Sequence, residues 1–65
     1  MLKSRIKEVM EQKGVTIRQL VSITGLSSGT LHRARGDLIG RCTLDTLRVI
    51  ATAMGVKVKD LFSED

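Results

Sequence analysis

The stretch TIRQLVSITGLSSGTLHRARG, residues 16–36, decides the fold. Thr16 is a good helix N-cap and Gln19 stands three positions on, so the pair reads as a capping box that satisfies two orphaned backbone donors. Val15 before the cap and Leu20 after it suit a hydrophobic staple. The helix so begun carries Leu20, Val21 and Thr24 and stops at Gly25. The device then repeats: Leu26 precedes the cap, Ser27 is the cap, Leu31 takes the staple position, and Gly36 ends the second helix. Leu31 and Ala34 mark its buried side. Two short helices with a few residues and a glycine between them meet at a steep angle.

The same period extends outward on both sides, with apolar residues recurring three and four apart. Residues 2–13 read as a first helix with the stripe Leu2, Ile6, Val9 and Met10, closed by Gly14, which takes a positive φ cheaply. Residues 37–42 read as a polar loop. Thr43 caps a further helix, with Cys42 and Leu47 at staple positions and Asp45 complementing the dipole of its first turn. Leu47, Ile50, Ala51 and Met54 form its stripe and Gly55 its stop. Residues 58–63 predict a short fifth helix offering Val58, Leu61 and Phe62, with Lys57, a poor cap, before it. The expected architecture is a compact, all-α, five-helix domain spanning residues 1–65, with Met10, Met54 and Phe62 in its core.

Composition bounds what such a domain can be. A chain of 65 residues hides only about 60% of its unfolded surface, so its core is thin and an enclosed substrate pocket has little room. With one Cys and one His, neither an internal disulfide nor a zinc site of protein ligands can form. No cofactor, metal or small-molecule ligand is expected. Neither a nucleophile with its base nor an acid–base pair stands out, which argues against an enzyme. Cys42 reads as a packing residue and His32 as an exposed side chain. The longest apolar runs are far too short to span a membrane, and the N-terminus lacks the apolar centre of a signal peptide. A lone cysteine without an export signal fits a cytoplasmic setting.

The net charge is +4, which favours polyanionic partners. Most of the lysines and arginines precede Val49, while Asp60, Glu64 and Asp65 make the tail acidic. With no Trp, no Tyr and a single Phe, the stacking platforms of single-strand binders are missing, which leaves duplex nucleic acid. At about 100° per residue, Leu31 and Ala34 point inward on the helix after Gly25, and Gly29, His32, Arg33 and Gly36 point outward. Ser28 and Thr30 stand at the edges. Arg33 can offer paired donors to guanine O6 and N7, and His32, Ser28 and Thr30 one hydrogen bond each. Any surface helix is polar outside. Gly29 is less ordinary, since glycine within a helix costs about 1 kcal/mol relative to alanine and a purely structural helix gains by replacing it.

Residues 16–36, with Thr16, Leu20, Val21, Gly25, Leu26, Ser27 and Leu31 in order, resemble the helix-turn-helix of the phage Cro and lambda-repressor family, the Xre-type regulators. TLDTLRVIATAMGV and the closing VKDLF resemble that family's last two helices, so the likeness runs from Leu2 to Phe62. It implies a five-helix domain whose second and third helices form the DNA-reading unit. By resemblance, Ser27, Ser28, Gly29, His32 and Arg33 touch bases. Thr16, Ile17 and Arg18, then Arg41 and Thr43, grip phosphates, helped by the affinity of helix N-termini for anions. Thr30 and Arg35 join the phosphate set as an edge hydroxyl and an added positive charge. The sequence departs from the pattern at Ile17, where members often carry Gln, at Gly29, where a longer polar side chain is common, and at Arg35, near where many carry an acid.

The function expected is sequence-specific binding of double-stranded DNA through a recognition helix in the major groove, as a transcriptional regulator. The alternative is a protein-interaction module of antitoxin or regulatory-partner type, for which the outward face lacks the aromatic and aliphatic anchors such surfaces use. Homodimerisation on two half-sites is open, with Val56, Val58, Leu61 and Phe62 expected to cover the core instead of forming a dimer seam.

Overall fold

The computed structural model describes residues 2–64. In chain order the elements are β1 (Leu2–Ser4), α1 (Ile6–Lys13), α2 (Ile17–Thr24), α3 (Ser28–Arg35), a 3₁₀ turn (Asp37–Arg41), α4 (Leu44–Met54), a second 3₁₀ turn (Val58–Leu61) and β2 (Phe62–Glu64).

Local chemistry sets most of these boundaries. Thr16 Oγ1 accepts from the Gln19 amide at 3.1 Å and Gln19 Oε1 accepts from the Thr16 amide at 2.9 Å, which completes the capping box of α2. Ser27 and Thr43 cap α3 and α4 by accepting from the amides of Thr30 and Thr46 at 3.1 and 3.2 Å. Helices α1, α2 and α4 end on Gly14, Gly25 and Gly55 at φ 67°, 74° and 69°, the left-handed region where a side chain is strained. Gly36 closes α3 differently, in extended backbone.

The core is one cluster. Ile6, Val9 and Met10 of α1 meet Leu20 of α2, Leu31 and Ala34 of α3, and Leu47, Ile50, Ala51 and Met54 of α4, with Ile39 and Leu61 supplied by the two 3₁₀ turns. Val56, Val58 and Phe62 pack against it half-buried, so these residues cover the core of their own chain.

Three expectations are corrected. Residues 2–4 do not extend the first helix; they form an antiparallel pair with the C-terminal strand, in the register Leu2↔Glu64, Lys3↔Ser63 and Ser4↔Phe62. The chain is fixed there by tertiary bonds that a helix start would break: the Arg5 amide donates to Leu61 O at 2.7 Å and Ser4 Oγ donates to Ala34 O at 2.6 Å. Residues 58–63 are accordingly not a fifth helix but one 3₁₀ turn that runs into β2. Asp60 accepts from the Lys57 amide at 3.0 Å and its own amide donates to Lys57 O at 2.9 Å, but the lysine side chain has no acceptor to cap a longer helix, and strand pairing draws the following residues out. Finally, residues 37–41 are a 3₁₀ turn, not a loop, and Ile39 anchors it by being buried in the core. The outcome is mostly helical, with four α-helices and a small sheet.

Candidate nucleic-acid interface

Helices α2 and α3 pack on each other across the three residues 25–27, and α3 packs on the Asp37–Arg41 turn along another side. The segments that carry the expected contact residues are therefore neighbours.

The N-terminus of α3 is held rigidly. Besides accepting from the Thr30 amide, Ser27 Oγ shares a 2.9 Å hydrogen bond with Thr30 Oγ1. These two hydroxyls are occupied in closing the helix end, and Thr30 is half-buried. Past them, Ser28, Gly29, His32 and Arg33 are all exposed, and their side chains form no hydrogen bond or ion pair among the described residues. They share one face, opposite the fully buried Leu31 and Ala34. Helix α3 carries no acid, and His32, Arg33 and Arg35 occupy its last turn, where positive charge also suits the helix dipole.

Arg35 stands apart from that exposed face. It lies within about 40° of Leu31 around the helix, on the inward flank, where it is half-buried. It lines a groove of about 420 Å³ together with Leu2, Lys3, Ser4, Gly36 and Asp37, and its Nε is screened from solvent without an acceptor. The wheel that places Arg33 outward also places Arg35 inward, so the sequence held the signal.

At the start of α2 the Leu20 amide is the first to bond back, to Thr16 O at 3.0 Å. The amides of Ile17 and Arg18 precede it and have no intrahelical acceptor, an arrangement suited to an anion. Ile17 packs on the core, so its position can offer only that amide, whereas Arg18 is exposed with its guanidinium free of partners among the described residues. Arg41 and Thr43 are exposed at the approach to α4. Thr43 is engaged with Thr46, and Asp45 in the first turn of α4 puts negative charge beside this helix end, 4.0 Å from Arg48. That negative charge makes the start of α4 less suited to an anion than the start of α2.

The described residues contain no group of His, Cys, Asp and Glu able to hold a metal ion, and no helix long and apolar enough to cross a membrane.

No curated protein and no solved structure matches the chain. A family model does, over residues 5–63, and nearly the whole length from the first helix to the second strand falls within it. On that match the chain belongs to the family of Cro/C1-type HTH DNA-binding domains, and its exposed, partner-free α3 face sits on a DNA-binding scaffold.

Proposed function

We propose that α2 and α3 are the helix-turn-helix itself and that α3 enters the major groove of duplex DNA as a recognition helix, in a transcriptional regulator acting in the cytoplasm. The observation that carries this reading is the outward face of α3. Four exposed residues, Ser28, Gly29, His32 and Arg33, make no side-chain hydrogen bond or ion pair among the described residues, on a helix whose N-terminus is capped by Ser27 and Thr30.

In this reading Arg33 gives two donors to guanine, Ser28 and His32 each contribute one polar contact, and Ser27 and Thr30 hold the helix end against the DNA. Phosphates are met by the Thr16 cap, the amides of Ile17 and Arg18, the Arg18 guanidinium, Arg41 and Thr43. Arg35 acts through charge at a distance. Phosphate contacts fix position and base contacts fix sequence, so the two sets fail differently when mutated. The molecule is 31 Å at its longest, while two half-sites one turn apart are about 34 Å from centre to centre. One chain therefore reads one half-site, and a two-part operator needs two copies.

Selection from a randomised duplex pool at roughly physiological salt tests this, since screening there trims nonspecific binding. An enriched motif of a few base pairs is the expected result, and a palindromic one would show a dimer. Salt-sensitive retention without enrichment would sink the base-reading assignment and leave either a nonspecific DNA binder or the protein-interaction alternative.

A further inference from the structure

Gly29 lies within α3, on its outward face, and the fold does not explain why a glycine stands there. Gly14, Gly25 and Gly55 each take a positive φ. Gly29 does not; it sits in the first turn of α3 in ordinary helical backbone. A Cβ built on it would find its nearest neighbour, Ser27 Oγ, at 3.9 Å, an ordinary van der Waals distance. Neither backbone geometry nor internal packing asks for glycine, and helix propensity opposes it. What the glycine creates is a notch on the outward face, flanked by Ser28 and, one turn further on, by His32 and Arg33.

We propose that this notch receives the 5-methyl group of a thymine, so that Gly29 makes the domain select a T·A pair close to the guanine read by Arg33. The proposal rests on the major-groove reading above and deepens it. A glycine at a base-facing position has no side-chain donor or acceptor, so the only property of a base edge it can answer is bulk. Among the edges shown in the major groove, thymine alone carries a methyl group. Residues four apart on a helix stand about 6 Å from each other, roughly two base-pair steps of 3.4 Å. The thymine and the guanine therefore fall within about two or three base pairs.

The test moves one methyl group across the interface. Gly29→Ala adds it to the protein, and deoxyuridine in place of thymidine removes it from the DNA. The full chain and the Gly29→Ala variant are titrated by fluorescence anisotropy against the motif enriched from the random pool and against copies with deoxyuridine at each thymine in turn. Gly29→Ala is expected to melt a few degrees higher than the parent and to bind the thymine motif about tenfold more weakly. Deoxyuridine at one position should restore most of that loss, and at the others none of it. Unchanged affinity in the variant overturns the proposal, as does a loss of the same size on every deoxyuridine duplex, which would place sugar or phosphate against the helix. A parent motif lacking thymine within three base pairs of a guanine also overturns it, with the major-groove reading left standing. A parent that enriches nothing removes both, and shows it before the variant is made.

Discussion

Helices α3 and α4 are neighbours in sequence and opposites in construction. Helix α4 runs for eleven residues and buries Leu47, Ile50, Ala51 and Met54; α3 runs for eight and buries only Leu31 and Ala34. Helix α4 is bound to the core along a full stripe. Helix α3 is fastened at its start by Ser27, at its end through the Ser4 bond to Ala34 O, and along a narrow inner edge. The remainder of its surface is polar, positively charged and unengaged. The division teaches that in so small a domain the side chains that hold the core and those proposed to meet DNA are separate, so that each can be changed one at a time.

That division can be broken at several points. The largest effect is expected at Ile50, fully buried in α4. Ile50→Ala should remove about 2–5 kcal/mol of stability, most of what a domain of this size holds, and urea titration followed by circular dichroism should find it largely unfolded. A well-folded Ile50→Ala protein would mean that α4 does not hold the core together. Next comes Arg33→Ala, which should cost about 1–3 kcal/mol of binding to the enriched motif and relax preference at one base pair, with the melting temperature within about 2 °C of the parent. If it instead melts many degrees lower, α3 carries stability on its outward face and the contrast fails. If affinity falls with no change of preference, Arg33 is a phosphate contact.

Thr16→Ala should destabilise by about 1 kcal/mol through loss of the α2 cap, lowering the melting temperature by about 4–8 °C. An unchanged melting curve would show that the capping box contributes nothing beyond geometry. The smallest effect is expected for Arg48→Ala on α4. Its ion pair with Asp45 is 4.0 Å long, and the two side chains are 72% and 93% exposed, so stability should move by less than about 0.5 kcal/mol. A larger loss would mean that α4 relies on its surface as well as its stripe.

Legibility in the sequence followed the range of the interactions. The ends of α2, α3 and α4 were readable because a cap, its partner three residues on and a closing glycine lie within a single short window, as with Thr16, Gln19 and Gly25. The β1–β2 pair was not readable. Leu2 fits a helical stripe with Ile6, and the strand that claims it lies some sixty residues away, at Phe62–Glu64. Ile39 misled for a different reason: between Gly36 and Gly40 it looked like loop, yet it is buried in the core within a 3₁₀ turn. At the candidate site, Ile17, which entered through the resemblance, packs on the core, and Arg35 is half-buried, and neither degree of burial follows from residue type alone. Gly29 was visible as an oddity, but the clearance around it, which shows that the fold does not need it, belongs to three dimensions.

The pairing of Leu2 with Glu64 has a practical reach. Paired residues in antiparallel strands lie about 5 Å apart, so whatever is fused ahead of β1 or behind β2 departs from the same corner of the molecule. Two attached modules would be held side by side rather than at opposite poles. A linker of a few residues joining Leu2 to Glu64 would give a ring that can be opened instead at an exposed turn such as Gly14.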